Sequence, residues 1–286
     1  MSSANEPVLV PLGSAEIIEI AGPDAVAFAH AQFTSDVAGV AIGAWQWSAW
    51  LSAQGRARGV FALLRTDADR LLLWLPLGGA ALLRDALSRF VLRAKVKIQA
   101  KDGWGLARLD GVTADLEPRQ AMPHRDGYAF AQPGTQARIA WLGPAPTQHA
   151  EPTALVAWRL EDIAAGLPWL DPALQDEFVP QALDLARIDA IRFDKGCYPG
   201  QEIVARLHFK GGLKRGLRRL RLSGEHPVTP GLRIQNENGE SGVVLYGATM
   251  SSGRHEALAV LPDALVDSKN LVSADGHEAK IIRFDA

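Results

Sequence analysis

The pattern of apolar positions divides the chain into two parts near residue 216. Before this point, short apolar runs predict strands that end at Gly, Pro or Gln-Gly turn signals. These predicted strands cover residues 17–20, 45–51, 59–64, 71–75, 95–99, 104–109, 128–131 and 137–141. After residue 216, short alternating runs at 217–222, 242–245, 257–260 and 280–284 are separated by Gly, Asn and Pro. This second pattern predicts a small antiparallel barrel or sandwich.

Helical periodicity is clearest between Gly79 and Phe90, where five apolar residues recur on one face: Leu82, Leu83, Ala86, Leu87 and Phe90. Further helices are predicted at 23–33, 154–165, 183–188 and 201–207. Thr153 can cap the third of these five helices and Gly166 can end it.

The order of these elements predicts an α+β fold with a C-terminal β-barrel, because the helices are too few for a doubly wound parallel sheet. A polar, irregular stretch at 110–126 suggests a boundary. We therefore predict an α+β sub-domain at 1–110, a second at 111–210 and the barrel at 211–286.

Composition narrows the possible functions. The 286 residues have a formal net charge of -2, so the chain has no global positive field to attract DNA. Cys197 is the only cysteine, which excludes an intramolecular disulfide and a site with four thiolates. The seven histidines lack metal-ligand spacing, so no metal site is predicted. Residues 1–7 do not resemble a signal peptide and no apolar run is long enough to span a membrane, which predicts a cytoplasmic location.

The cysteine lies in a segment dense in special residues, here called the cysteine loop: Lys195-Gly196-Cys197-Tyr198-Pro199-Gly200-Gln201-Glu202. Pro199-Gly200 suits a type II turn before a helix, and Glu202 and Arg206 have i,i+4 spacing. Lys195 and the helix N-terminus would both favour the thiolate. Because a lone cysteine is more often a buried small hydrophobe, the residues alone leave both interpretations open.

The cysteine loop, continuing to Ala205-Arg206, resembles the signature of the YgfZ group in the GcvT-like superfamily. Three weaker similarities accompany it, at Gln32–Val37, Leu51–Arg56 and Phe178–Gln181. The resemblance implies a GcvT-like body of two ferredoxin-like α+β sub-domains and a barrel, arranged as a ring around a tetrahydrofolate pocket. It also implies a role in assembling or repairing iron–sulfur proteins, including enzymes that thiomethylate tRNA. The implied partners are reduced folate and iron–sulfur proteins or their assembly factors.

Candidate site residues follow from the chemistry of the cysteine loop and, for two residues of a predicted helix, from the resemblance. Cys197 and Lys195 would form the reactive pair, and Gln201, Glu202 and Arg206 would fix the loop. Arg159-Leu160-Glu161 resembles the segment that faces the pterin, which makes Arg159 and Glu161 candidate folate contacts, although both also suit a solvated helix face. One departure is Asp184, where the family often has Asn.

Two alternatives remain at this point. The first is a folate-dependent aminomethyltransferase of the glycine cleavage type, but residues 55–59 lack the paired carboxylates of that group. The second is an RNA- or protein-binding module that uses the basic run Lys210, Lys214, Arg215, Arg218 and Arg219. The same run also suits a solvated strand edge or the polyglutamate tail of a folate.

Overall fold

A computed structural model describes residues 7–111, 117, 119–268 and 270–284. The prediction about the N-terminal segment therefore falls mostly on residues 1–6, outside the described part, and residues 112–116 and 118 of the irregular stretch predicted at 110–126 also lie outside it. Among the described residues, no helix has both the length and the apolar character needed to cross a membrane.

The first sheet is antiparallel, in the order β3-β4-β5-β2-β6. Its strands are β2 (Glu16–Ala21), β3 (Ala44–Leu51), β4 (Ala57–Asp67), β5 (Arg70–Leu75) and β6 (Lys97–Lys101). Helices α1 (Ala25–Gln32) and α2 (Ala80–Ser88) cover one face. Phe61 and Leu63 point to the helices while Ala62 and Leu64 point to the main core, so both faces are buried. This explains why β4 and β5 have continuous apolar runs rather than alternation.

The second sheet is also antiparallel, in the order β1-β7-β10-β9-β8. Its strands are β1 (Val8–Ser14), β7 (Trp104–Asp110), β8 (Ala121–His124), β9 (Gly127–Gln132) and β10 (Arg138–Pro144). Helix α3 (Pro152–Ala164) packs in the core beside it. Sequence analysis missed β1 and β8, which contain Pro11 and Pro123. Both are edge strands, where a residue without an N–H is tolerated.

The C-terminal strands form a closed antiparallel barrel, which confirms the α+β fold class with its barrel. They are β11 (Arg215–Ser223), β12 (Arg233–Gln235), β13 (Ser241–Thr249), β14 (His255–Pro262), β15 (Leu271–Ser273) and β16 (Glu278–Ile282). Helix α4 (Gln201–Lys210) leads into the barrel, and β11 closes it by pairing with both β14 and β16.

Five aromatic side chains pack where the two sheets, α3 and the barrel meet. They are Trp45, Trp47, Trp74, Trp169 and Phe130, with ring centroids 4.6–6.1 Å apart in contacting pairs. Burying so much aromatic surface is a large stabilising contribution. We call this group the aromatic core.

Two predictions differ from the structure. The predicted helix at 183–188 is wrong: the segment forms successive turns, because Asp184 and Asp189 have φ of 53° and 56°, which a right-handed helix does not allow. The three-part division stays a prediction, and the sheets do not follow its first boundary. Strands β1 and β7, both before residue 111, pair within the second sheet rather than the first.

Candidate functional site

The cysteine loop is anchored on the C-terminal end of α1 by Lys195. The Lys195 ammonium donates to the carbonyl oxygens of Phe33 (2.5 Å) and Ser35 (3.1 Å), and also to that of His30. An ammonium has three N–H groups, so all of its donors are engaged. Burial lowers the pKa of Lys195 to about 8, against the opposing charge of Asp36.

The geometry shows which groups Lys195 contacts, while its expected role at the thiol stays a prediction. Its ammonium caps the carbonyls at the end of a helix, where a cation is favourable, and no hydrogen bond joins it to Cys197 among the described residues. Lys195 therefore positions the loop, and its partners are on α1.

Cys197 and Tyr198 point in opposite directions. The Cys197 side chain is exposed, which excludes its being a buried small hydrophobe. The Tyr198 ring is buried, with the Lys195 ammonium 5.1 Å from its centroid, and its hydroxyl donates to the Arg192 carbonyl at 3.4 Å. Burial raises the pKa of Tyr198 to about 12. The buried ring and the anchored lysine thus hold the loop while the thiol faces outward.

Gly200 allows the loop to approach the β3–β4 turn closely. Gly200 has φ 77° and ψ 1°, and the Gln201 amide donates to the Tyr198 carbonyl at 3.2 Å, which is the predicted type II turn. A Cβ at Gly200 would lie 2.5 Å from the Ser52 carbonyl oxygen and 2.6 Å from Gly55 Cα. Two segments that resemble the family separately are therefore in direct backbone contact.

The polar residues of α4 do not fix the loop as expected. Glu202 and Arg206 are both exposed and form no ion pair with each other within the described part of the chain. Val204 is the one buried residue of α4, and its carbonyl accepts from Gln181 Nε2 at 2.7 Å. The hydrogen bond from Gln181, a residue of one of the segments that resemble the family, therefore anchors α4 where an ion pair between Glu202 and Arg206 was expected.

Thr34 joins three chain segments behind the loop. Its buried hydroxyl accepts from the Ala49 amide (3.0 Å) on β3 and donates to the Ala190 carbonyl (2.6 Å). The Thr34 carbonyl accepts from the Arg192 amide at 2.9 Å. These bonds place residues 189–192 beside the end of α1, which spacing along the sequence did not reveal.

A polar cavity of about 330 Å³ opens between these segments, next to the aromatic core. We call it the Asp36–Arg192 pocket, and it is lined by Asp36, Trp45, Gln46, Arg119, Asp189 and Arg192. Its size is at the lower end of the range typical of ligand cavities. It adjoins the cysteine loop, because the Lys195 ammonium binds the carbonyl of the residue before Asp36.

Two residues that line this pocket each have a buried donor without a partner among the described residues, Trp45 Nε1 and Arg119 Nη1. The Arg119 guanidinium lies 5.0 Å from the Trp45 ring centroid, and burial lowers the pKa of Arg119 against the opposing charge of Asp189. Unsatisfied buried donors are costly, and a ligand is one way of satisfying them. Carboxylates, guanidinium groups and an indole together suit a flat heterocycle that carries donors, acceptors and an acidic tail.

His30 is a further residue beside the loop that sequence analysis passed over. Its Nδ1 lies 3.2 Å from the Ala38 amide and 3.3 Å from Asp36 Oδ1, and its Nε2 lies on the Gly196 side. Burial, and then the Lys195 charge, lower the pKa of His30 against the effect of Asp36. An imidazole with a lowered pKa therefore lies next to the cysteine loop.

Arg159 and Glu161 lie away from this pocket, on α3. Arg159 donates to the Pro76 carbonyl at 2.6 Å, and Glu161 accepts from the Thr135 amide (2.7 Å) and hydroxyl (2.8 Å). Both have structural partners, and their contact with a folate stays a prediction. The buried carboxylate of α3 is the next residue, Asp162, which accepts from Arg138 at 2.5 Å and from Trp169 Nε1 at 3.0 Å.

Comparison with known proteins places the chain in a family. No protein-family model matches it. The tRNA-modifying protein YgfZ of Vibrio vulnificus is 30% identical over 280 residues, which cover 87% of this chain and 82% of the relative. The protein of the same name from Photobacterium profundum is 28% identical and covers 97% of this chain and 90% of the relative.

A solved structure has the same fold. The aminomethyltransferase T of the glycine cleavage system from Bartonella henselae superposes with a TM-score of 0.71, covering 97% of this chain and 85% of that one at 17% identity. At this identity the likeness shows the fold alone. The extent and identity of the sequence matches show more: the chain belongs to the family of the tRNA-modifying protein YgfZ.

Proposed function

We propose that this protein binds a reduced folate and supports tRNA modification by iron–sulfur enzymes, with Cys197 as its reactive group. One observation carries the proposal. Lys195 ties the loop that exposes the thiol to the end of α1, and the residue after its acceptor Ser35 is Asp36, which lines a polar pocket. The segment that follows α1 would thus contact a ligand in the pocket and also anchor the loop that presents the thiol to a partner.

The Asp36–Arg192 pocket fits a reduced folate chemically. Asp36 and Asp189 offer acceptors for the amino and ring N–H groups of a pterin, and the unpartnered donors Trp45 Nε1 and Arg119 Nη1 suit its carbonyl oxygen. Arg192 is exposed at the pocket and suits the carboxylates of the glutamate tail. When bound, the folate would supply one-carbon or redox chemistry. The residues of the chain would bind and orient it.

This placement replaces Arg159 and Glu161 as the main folate contacts. Both side chains already have partners within the chain, whereas the pocket has buried donors without any. The transferase alternative has no comparable support, because residues 55–59 bring no carboxylate and the likeness to the aminomethyltransferase shows the fold alone.

The role of Cys197 is tested in cells that lack the chromosomal gene and carry plasmid copies of the wild type, Cys197→Ser or Cys197→Ala. Mass spectrometry of digested tRNA measures the fraction of thiomethylated nucleosides. Leu92→Ala, an exposed substitution on another part of the surface, is the matched control. We expect the wild type and the control to restore the modification and both cysteine variants to fail. Full restoration by Cys197→Ala, at equal protein levels, would refute a role for the thiol.

A further inference from the structure

At the C-terminal end of α4 and just after it, exposed aromatic and basic side chains lie beside the half-buried ring of Phe193, which precedes the cysteine loop. We call this the α4 surface, and define it by Phe193, Arg206, His208, Phe209, Lys210 and Lys214. Phe209 is 77% exposed, which is unusual for a large apolar side chain. None of the six residues lines the Asp36–Arg192 pocket, so the surface is independent of the proposed folate site.

The three rings of the α4 surface are arranged as a platform. Phe193 and His208 stack with centroids 4.0 Å apart and an interplanar angle of 18°. Phe209 stands edge-on to both rings, at 6.3 Å from Phe193 and 5.0 Å from His208. The Phe193–His208 stack packs against Phe209, and the exposed ring of Phe209 remains available to a partner.

Three cations that lie close to Phe209 along the chain form no ion pair with another described residue. Arg206, Phe209 and Lys210 share one helix face, because they are three and four residues apart. Arg206, Lys210 and Lys214 are exposed and have no ion-pair partner among the described residues. The rest of the basic run is different: Arg218 is 3.4 Å from Asp263, and Arg219 is buried with Glu256 at 2.7 Å. The basic run predicted from the sequence is thus divided: Arg218 and Arg219 pair with carboxylates, whereas Lys210 and Lys214 have no ion-pair partner in the part of the chain that the structure describes.

We propose that the α4 surface binds single-stranded RNA, with a base stacked on Phe209 and phosphates held by Arg206, Lys210 and Lys214. An exposed aromatic ring among unpaired cations is the combination that single-strand binding surfaces use. A protein partner would need to bring carboxylates to three separate cations, whereas a phosphate backbone supplies a charge at every nucleotide. The formal net charge of -2 for the whole chain fits a local site rather than a general affinity for nucleic acid.

The test is fluorescence anisotropy of the full chain with a labelled oligoadenylate of about ten nucleotides, within the span of known single-strand sites. An RNA duplex of equal length is run in parallel. The variants are Phe209→Ala and the double substitution Lys210→Ala with Lys214→Ala. Leu92→Ala, which removes a side chain that is 87% exposed, is the control for Phe209. Arg93→Ala with Lys97→Ala, two exposed cations just before and at the start of the edge strand β6, is the control for charge.

We expect the wild type to bind the single strand more tightly than the duplex. Phe209→Ala should weaken single-strand binding about tenfold, the loss typical of one stacked base. The lysine double variant should reduce the slope of log K against log salt by about 1.4, or about 0.7 for each phosphate contact. Both controls should retain wild-type affinity and slope.

Three results would overturn the proposal. The first is an absence of single-strand binding by folded wild type at protein concentrations above ~10⁻⁴ M, the weak end of non-specific binding. That result would assign the surface to a protein partner. The second is unchanged affinity in Phe209→Ala. The third is an equal loss of salt dependence in the Arg93 and Lys97 control, which would show a diffuse electrostatic attraction.

Discussion

Gly200→Ala tests whether the close contact between the cysteine loop and the β3–β4 turn holds the site together. Two costs add in this variant. The φ of 77° places an alanine in the left-handed region, at about 1–2 kcal/mol. The new Cβ would lie 2.5 Å from the Ser52 carbonyl oxygen and 2.7 Å from Gly55 N. Both are backbone atoms that cannot rotate away, and forced repacking costs about 1–3 kcal/mol more. The free energy of unfolding should therefore fall by about 2–5 kcal/mol.

Gly253→Ala separates the two costs. Gly253 has a φ of 78°, nearly that of Gly200, but a Cβ there would meet nothing within 4 Å. This control should lose only the backbone term of about 1–2 kcal/mol. Urea denaturation with an unchanged m-value is the assay. Equal losses in the two variants would refute the argument from close approach, because strain in the backbone would then explain the whole effect.

Three further predictions concern polar groups that are buried or partly buried. The native pKa of Lys195 is about 8 against a usual 10.5, so between these values the unfolded chain still binds a proton that the native state has released. The wild type should therefore gain stability relative to Lys195→Met as pH rises from 8 to 10.5, measured by urea unfolding at several pH values. Asp162→Ala leaves the buried Arg138 guanidinium without its partner and should lower the free energy of unfolding by about 3–5 kcal/mol. Thr34→Val removes a hydroxyl bonded to two backbone groups and should cost about 1–3 kcal/mol by the same assay.

A specific result would contradict each of these three predictions. A stability difference for Lys195 that falls with pH would mean that its three carbonyl acceptors outweigh burial. Replacing both members of the buried pair, by Arg138→Met with Asp162→Leu, should cost less than Asp162→Ala alone; a larger cost would show that the pair itself is favourable. Thr34→Ser keeps the hydroxyl and should remain close to the wild type, so an equal loss in both Thr34 variants would assign the effect to the methyl group.

The sequence was sufficient where local physics decides the outcome. The alternation of apolar and polar residues between turn residues predicted the barrel, and a single apolar face predicted α2. The type II turn at Pro199-Gly200 followed from the conformational limits of those two residues, and Gly200 has the positive φ that it requires. Strands β1 and β8 were missed because their prolines are read as breakers, although pairing at a sheet edge tolerates them.

The site required information that a sequence does not show. The pocket joins Asp36, Arg119 and Arg192, which are far apart along the chain and come together only through the hydroxyl of Thr34 and the strand pairing around it. Lys195 looked like a partner of its neighbour Cys197, but its three acceptors are more than 150 residues away. A lysine two residues before a cysteine in the sequence is therefore not necessarily a hydrogen-bond partner of its thiol.

Calorimetric titration with tetrahydrofolate tests the central claim most directly, using the wild type, Arg192→Ala and Glu161→Gln. We expect saturable binding by the wild type, with affinity about 10–100-fold lower in Arg192→Ala because a charge-assisted contact to the glutamate tail is lost. Glu161→Gln should bind as the wild type does, since Glu161 is engaged by Thr135. Loss of binding in Glu161→Gln with full affinity in Arg192→Ala would contradict the pocket assignment, and no binding by folded wild type would remove folate from the account.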